Sequence, residues 1–177
     1  MRSLEDIGGE ELRWVKPKWL KRQYDLRAGE EVVATLTMSG GSKAIGEWSG
    51  WRYYFSQKGW FNQRILVGDG AAPDVVTPLA TLTRRGGILT LADGHTLFWR
   101  KPSVWKSRRV WSDGAATLTE FDPASGYASP RVTITEEGAR LAELPLLLLL
   151  GEYLIVRARE EADVANVAAT TVVASGG

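Results

Sequence analysis

The chain has 177 residues, of which 24% are charged, and it carries a formal net charge of +1. This length allows one domain with a substantial core. The near-neutral charge excludes a global field that would attract nucleic acid or an anionic surface, so any basic site must be local. The chain has no cysteine, which excludes disulfides and zinc–thiolate sites, and no apolar signal segment follows Met1, so we expect a cytoplasmic protein.

Residues 1–11 are acidic and contain glycine, which predicts a flexible N-terminus. A short strand is predicted at 12–15, which Pro17 ends or moves to an edge. From Tyr24 to Ile134, short runs of alternating polarity are separated by turn residues, a pattern typical of an antiparallel all-β sheet, sandwich or barrel. In the run 32–38, Val32, Ala34, Leu36 and Met38 fall on one apolar face. The predicted strands are 12–15, 32–38, 44–48, 51–55, 60–67, 75–83, 87–91, 96–100, 104–111, 115–121 and 131–135.

Turn residues mark several connections between these strands. The pairs Asp93-Gly94 and Asp113-Gly114 predict type I′ hairpin turns, because both residue types tolerate a positive φ. A further turn is predicted at 57–59. These signals predict a meander of strands better than they predict its register.

The segment 144–156 has apolar residues on every side and leaves no polar stripe at helical spacing. Its leucine run favours a helix, and Pro145 suits the first turn, where the missing N–H costs nothing. We therefore predict a buried helix at about 143–161. Its apolar part falls short of the roughly 20 residues that a membrane-spanning helix needs. Residues 162–177 are predicted to form a final edge strand or a flexible tail.

A succession of strands before a wholly apolar helix predicts a mainly β fold. We expect about ten to twelve antiparallel strands to close into a barrel around the helix, in a single domain at 12–161. Aromatic side chains would fill the space between helix and sheet. The alternative is a sandwich with the helix across one open face, which would leave leucines in water. A filled interior leaves no cavity for a carried ligand.

Glu152 lies in the middle of the predicted helix. A buried carboxyl group must be protonated or have a donor, since an isolated buried charge costs several kcal/mol. We expect its partner to be an Arg, Tyr or Trp that reaches in from the barrel wall. The alternatives are a functional acid or a position at the rim of the barrel, open to solvent.

Four segments form a distinctive set: 24–26, the Trp- and Tyr-rich 51–55, the hairpin 87–99, and the leucine-rich helix with Gly151-Glu152-Tyr153. Together they resemble the tubby C-terminal-like superfamily, which includes tubby domains, phospholipid scramblases and LURP-one-related proteins. The resemblance implies a closed β-barrel around a C-terminal hydrophobic helix. It covers the organisation of the chain from about residue 12 to 161. A proline-rich N-terminal region, a cysteine cluster and a calcium-ligand run are missing, which argues against scramblase activity.

The resemblance also implies a site for anions or lipid head groups. Tubby domains bind phosphoinositides through basic residues on the barrel surface, including a Lys-x-Arg pair, and the nearest match here is Lys106-Ser107-Arg108. Two cations at i and i+2 of a strand would share a face and hold one phosphate group. The alternative is a charged strand face that serves only solubility. The candidate residues are Arg100, Lys101, Lys106, Arg108 and Arg109.

Cations and aromatic residues alternate near the start of the chain, which would suit a stacking platform for single-stranded nucleic acid. The same segment would suit an anionic membrane surface. In a third interpretation its tryptophans plug one end of the barrel while its lysines face water. The residues of this aromatic-basic segment are Trp14, Lys16, Lys18, Trp19, Lys21 and Arg22.

No catalytic cluster emerges from the sequence. His95 is the only histidine and follows an Asp-Gly turn, so it is better interpreted as a turn residue than as the base of a triad. One histidine and no cysteine provide too few ligands for a transition metal. We therefore predict a non-enzymatic module without a cofactor, which binds anionic phospholipid head groups at a membrane surface. The alternative is a scaffold for single-stranded nucleic acid or for a protein partner.

Overall fold

The structure is a computed structural model of the chain. It describes residues 11–17, 21–58, 64–69, 76–83, 86–103, 107–123 and 130–174. At residues 58, 64, 69, 76–83 and 167–174 it describes the backbone alone.

The described residues form an antiparallel sheet of short strands followed by two helices. This confirms the prediction of a mainly β chain with a C-terminal helix. The strands are β1 (Leu12–Val15), β2 (Gln23–Ala28), β3 (Glu31–Met38), β4 (Lys43–Trp48), β5 (Trp51–Lys58), β6 (Arg64–Asp69), β7 (Val76–Thr83), β8 (Gly86–Thr90), β9 (Thr96–Arg100), β10 (Arg109–Ser112), β11 (Thr117–Asp122) and β12 (Arg131–Ile134). The helices are α1 (Glu136–Ala139) and α2 (Leu144–Ala174).

Each strand pairs with the strands before and after it in the chain, and the pairing continues from the last strand back to the first. Leu12 of β1 is opposite Ala28 of β2 on one side and opposite Val132 of β12 on the other. The strand order is therefore that of a closed barrel. A ring of this kind has no unpaired edge at which another chain could add a strand.

Because neighbouring strands are antiparallel, successive connections alternate between the two ends of the ring. The helix α2 begins at one end, next to α1, and leaves at the other, where Arg157 donates a hydrogen bond to the carbonyl oxygen of Gly41 at 3.4 Å. We call these the entry end and the exit end. Among the described residues, the entry end has the connections 29–30, 49–50, 91–95, 113–116 and 135–143. The exit end has the connection 39–42 and the described parts of the connections 16–22, 101–108 and 123–130.

The first half of α2 lies inside the ring. Leu147 to Leu150 have no exposed surface, which explains why this segment lacks a polar stripe. Aromatic side chains of the wall fill the space around it: the ring of Tyr153 stacks on Phe55 at 5.4 Å between centroids. Trp111 donates a hydrogen bond from its indole nitrogen to the carbonyl oxygen of Leu147 at 2.9 Å. The hydrophobic core of the barrel thus consists of the side chains of α2 and of the inner face of the strands that pack against it.

The helix continues beyond the predicted end near residue 161. Residues 162–174 extend α2 to Ala174, so the prediction of an edge strand or flexible tail is wrong for them. Acidic residues such as Glu160 and Glu161 are unfavourable in the last turn of a helix, where the dipole is negative. They lie in mid-helix instead, where Arg157 pairs with Glu160 at 2.8 Å and with Glu161 at 3.8 Å. Such i,i+3 and i,i+4 pairs stabilise a helix.

A β-bulge changes which valine of β3 faces the core. Leu26 is opposite Ala34 and Arg27 is opposite Val32, so Val33 is the extra residue of the bulge. Val33 is consequently 2% exposed and Val32 36% exposed. The prediction that Val32 belongs to the apolar face is wrong, because an extra residue reverses the alternation of side chains.

The predicted type I′ turns are also wrong. Gly94 has a positive φ of 87° and Gly114 one of 99°, but neither preceding aspartate does. Each aspartate instead accepts backbone hydrogen bonds through its side chain: Asp93 Oδ1 from His95 N at 2.8 Å, and Asp113 Oδ1 from Ala115 N at 2.9 Å. The turn predicted at 57–59 does not begin at 57, because β5 continues through Lys58.

Candidate anion-binding end of the barrel

Basic residues are concentrated in the connections at the exit end. The described residues among them are Lys16, Lys21, Arg22, Lys101 and Arg108. The sequences of the remaining parts of these connections add Lys18 and Lys106, and no Asp or Glu occurs in the sequence of any of them. The alternation of the strands therefore places the described cations, which are far apart in the chain, at one end of the barrel.

The connections at the entry end have the opposite character. Their described residues include the basic residue Arg140, while the acidic residues among them are Glu30, Asp93, Asp113, Glu136, Glu137 and Glu143. The net charge of +1 hides this separation. A barrel with a positive end and a negative end has a strong local field at each end even though its total charge is close to zero.

The helix contributes both signs of charge at the exit end. Glu160 forms ion pairs with Arg157 and Arg22, and Glu161 lies 3.8 Å from Arg157. These contacts pair Arg157 with both glutamates, and the exposed Arg159 and Asp163 add one charge of each sign. The positive character of the exit end therefore comes mainly from the connections between strands.

The predicted anion site at 100–109 lies at the exit end, but not as a strand face. Arg100 and Lys101 are exposed at the end of β9. Arg108 forms ion pairs with Glu120 at 2.6 Å and with Asp122 at 3.4 Å. Because β10 begins only at Arg109, the prediction that Lys106 and Arg108 share a strand face is wrong for Arg108, and Lys106 lies outside the described residues.

Arg109 lies at a slot between α2 and the wall. It is partly buried, and this burial lowers the pKa of its guanidinium group. The slot has a volume of about 220 Å³ and combines an apolar floor with two guanidinium groups and no acidic side chain among the described residues that line it. Its lining residues are Trp99, Ser107, Arg109, Pro123, Leu154, Ile155, Ala158, Arg159 and Ala162. Sequence reasoning found Arg109 but missed Arg159 as its neighbour, since the two lie on different elements.

The residues of the aromatic-basic segment do not form one surface in the structure. Trp14 is 1% exposed and belongs to the core, so its prediction as a surface residue is wrong: alternation along β1 points it inward with Leu12. Lys16 and Lys21 are exposed at the exit end, and the Lys16 ammonium lies 5.9 Å from the centroid of the Tyr24 ring. Arg22 is exposed and pairs with Glu160. Lys18 and Trp19 lie outside the described residues.

Glu152 has no exposed surface, and neither of its carboxyl oxygens has a hydrogen-bond partner among the described residues. The expected Arg, Tyr or Trp partner is therefore not found in the part of the chain that the structure describes. Burial raises the pKa of Glu152 to about 8, and the charge of Arg159 opposes this rise. The carboxyl group is consequently protonated near neutral pH, which avoids an isolated charge inside the barrel.

His95, by contrast, is exposed at the acidic entry end, away from the cations described above. Within the described ranges, no three His, Asp or Glu side chains are grouped so as to hold a metal ion. Nor does any described helix combine the length and apolar character needed to cross a bilayer.

Fold and charge together define an antiparallel β-barrel with a helix inside and one basic end. The chain matches no protein-family model, no curated protein and no solved structure. Membership of the tubby-like superfamily therefore stays a prediction.

Proposed function

We propose that the protein is a non-enzymatic binding module whose exit end binds the head groups of anionic phospholipids at a membrane surface. The observation that carries this proposal is the separation of charge between the two ends of the barrel. The arrangement of a C-terminal helix inside a β-barrel is also the one that the resemblance to tubby-like proteins implies, and some of those proteins bind phosphoinositides.

A flat anionic surface suits this distribution of cations better than a single small anion does. The described basic residues lie in two connections of the exit end, Lys16, Lys21 and Arg22 in one and Lys101 and Arg108 in the other, so a plane that touches this end meets both groups at once. Each Lys or Arg near such a surface contributes about 1 kcal/mol, and this contribution weakens with salt because ions screen it within roughly 10 Å. Several weak contacts in one plane add up to useful affinity.

Single-stranded nucleic acid is the less favoured ligand. A stacking platform needs exposed aromatic rings beside its cations, and Trp14, the first aromatic residue of the candidate segment, is packed in the core. Lys16 lies over Tyr24, a ring that is itself partly buried. The cations remain available for phosphate groups, but the described aromatic residues of this segment do not form an open surface for bases.

A matched pair of variants tests the proposal. Lys101→Gln removes one positive charge at the exit end, and Arg140→Gln removes one at the entry end; both side chains are exposed. We expect Lys101→Gln to weaken binding to vesicles that contain phosphatidylglycerol about fivefold, and Arg140→Gln to change it less than twofold. Cosedimentation at several salt concentrations measures both effects.

Equal effects of the two variants would contradict the proposed orientation. Absence of binding to anionic vesicles at low salt would contradict the proposed function itself. A single-stranded DNA gel shift run in parallel distinguishes the alternative, since a protein that shifts DNA but does not sediment with vesicles binds nucleic acid instead.

A further inference from the structure

A groove on the outer wall of the barrel, at the entry end, contains an exposed tryptophan. Trp51 is 66% exposed, although Trp48, its cross-strand partner in the β4–β5 hairpin, is 4% exposed. The other tryptophans that the structure describes are buried in the core: Trp14, Trp99 and Trp111. An open indole ring in a protein that buries its other described ones is a candidate contact surface.

The groove has a volume of about 550 Å³, which lies within the roughly 300–1,000 Å³ of small-molecule sites. Strands β3 to β5 and the turn between β4 and β5 form it. Trp51 and Val32 supply apolar surface, and Val32 is open because of the bulge at Val33. The lining also includes four polar side chains: Thr35, Glu47, Ser49 and Arg52. The groove therefore combines an apolar platform with hydroxyl, carboxylate and guanidinium groups.

A row of polar side chains crosses the groove. Thr35, Glu47 and Arg52 are directly opposite one another on three neighbouring strands, so their side chains share the outer face. Arg52 donates a hydrogen bond from Nε to Oε1 of Glu47 at 2.7 Å. This bond leaves Oε2 of Glu47 as an acceptor and the terminal nitrogens of Arg52 as donors. The two charges compensate each other, so the row offers donors and acceptors without a net charge.

The turn beside this row fixes the position of the tryptophan. Ser49 has a φ of 46° and Gly50 one of 87°, as in the type I′ turn of a two-residue hairpin. A tight hairpin of this kind fixes the backbone of Trp51, which is the first residue after the turn. Because the turn and the strands are ordered before a ligand arrives, binding costs less conformational entropy.

The arrangement suits a neutral ligand that has one apolar face and a polar edge. The C–H groups on one face of a pyranose ring are weakly positive and pack against the negative face of an indole ring. The hydroxyl groups at the edge of the same sugar donate and accept hydrogen bonds, and so complement both Glu47 and Arg52. A polyanion such as nucleic acid is disfavoured by the acidic entry end. An organic cation is disfavoured by Arg52, which lines the same groove.

We propose that this groove binds a pyranose unit of an oligosaccharide, with the sugar ring on Trp51 and its hydroxyl groups bonded to Glu47 and Arg52. The groove lies at the opposite end of the barrel from the basic connections, so this inference does not depend on the proposed function. The protein then has two separate binding sites, one at each end.

Saturation-transfer difference NMR on the full chain tests this site. The probes are maltose, cellobiose, lactose and N,N′-diacetylchitobiose, which differ in linkage and in the orientation of their hydroxyl groups. We expect the native chain to transfer saturation to the C–H protons of at least one of them. Trp51→Ala should abolish this transfer, whereas Ile88→Ala should leave it unchanged, since Ile88 is an exposed aliphatic residue on another strand of the wall. Circular dichroism of both variants checks that the fold is retained.

A second variant tests the polar row. Glu47→Gln keeps the shape of the side chain but removes its charge and its ion pair with Arg52. We expect it to weaken binding of the same sugar about tenfold, because hydrogen bonds to a charged group are stronger than those to a neutral one. Isothermal titration calorimetry measures this change. Lys101→Gln should not alter sugar binding and Trp51→Ala should not alter vesicle binding, because the two sites lie at opposite ends.

Several results would overturn the proposed sugar site. The first is the absence of transfer to all four sugars. The second is transfer that persists in Trp51→Ala, or an affinity that Glu47→Gln leaves unchanged. The third is transfer to choline chloride but to none of the sugars, which would indicate a cation site. The fourth is a dimer that Trp51→Ala dissociates in analytical ultracentrifugation, without transfer to any sugar, which would indicate that the groove is a contact between two copies of the chain.

Discussion

Replacing Glu152 with methionine should raise the free energy of unfolding by about 3 kcal/mol at pH 7. Methionine has a similar length and no polar group that needs a partner. In the native protein the carboxyl group stays protonated until its pKa of about 8, whereas in the unfolded chain it ionises near 4.5. Ionisation therefore favours the unfolded chain throughout this interval.

The sign of the pH dependence follows from the same values. Below pH 4.5 the group is protonated in both states and costs no ionisation energy. As the pH rises from 4.5 to 8, only the unfolded chain loses its proton, so stability falls by about 1.4 kcal/mol per pH unit. Above pH 8 both states are ionised and the loss stays constant. Urea denaturation at pH 5, 6, 7 and 8 measures this slope in the native chain and its disappearance in Glu152→Met.

Glu30→Met is the control for that experiment, because the Glu30 side chain is fully exposed. We expect it to change the free energy of unfolding by less than about 0.5 kcal/mol at each pH. Two results together would contradict the interpretation of Glu152 as a protonated, unpaired carboxyl group. They are a stability of the native chain that is constant from pH 5 to pH 8, and a loss of stability in Glu152→Met. Together they would mean that the carboxylate has a cationic partner among the residues that the structure does not describe.

Adding one methyl group at Gly151 should destabilise the protein by about 2 kcal/mol. Gly151 lies in the buried part of α2, and a Cβ atom there would overlap Cζ of Phe121 and lie 2.7 and 2.8 Å from two further ring atoms. The Phe121 ring is fully buried and meets Trp99 edge to face at 5.4 Å, so it has no space to retreat. Overpacking of this kind costs roughly 3 kcal/mol, while the better helix propensity of alanine returns about 1 kcal/mol.

Two further variants test that explanation. Gly46→Ala puts a methyl group 3.0 and 3.1 Å from the flexible methyl ends of Leu149 and 3.1 Å from one ring atom of Phe55; none of these distances is below 3.0 Å, so it should cost about 1 kcal/mol, less than Gly151→Ala. Phe121→Leu should reduce the cost of Gly151→Ala, because the smaller side chain makes room for the methyl group. Thermal and urea denaturation of the single and double variants form a double-mutant cycle. Additive losses would show that the ring is not the obstacle.

Local patterns predicted most of the architecture. The alternation of polarity located the strands because each strand presents one face to the core, and the leucine run predicted burial because no side of it is polar. Features that depend on contacts between residues far apart in the sequence were not predictable. The bulge at Val33 exists only relative to Arg27 on the neighbouring strand. The ion pair between Arg157 and Glu160 is compatible with a helix that continues past residue 161, whereas the sequence analysis had placed the helix end there.

The candidate site was visible in part. The sequence identified Lys101, Arg108 and the lysines near residue 20 as basic, but it could not show that they share one end, because this depends on the alternation of twelve strands. The sequence analysis also placed Trp14 on the surface, because neighbouring cations do not reveal which face of the strand carries the aromatic side chain. Arg109 and Arg159 line the same slot only because of the position of α2 inside the barrel, which the sequence does not reveal.

The order of the strands and α2 along the chain affects when the barrel can fold during synthesis. The ribosome releases all the strands before the helix that fills them, and β1 meets its second neighbour β12 only after nearly the whole ring has been translated. Until then the nascent sheet has an apolar inner wall with nothing to cover it. Closure of the barrel is therefore expected to wait until α2 has been synthesised and to be slow, as is typical of chains in which partners are far apart in sequence. During that interval the nascent chain is a natural client for chaperones.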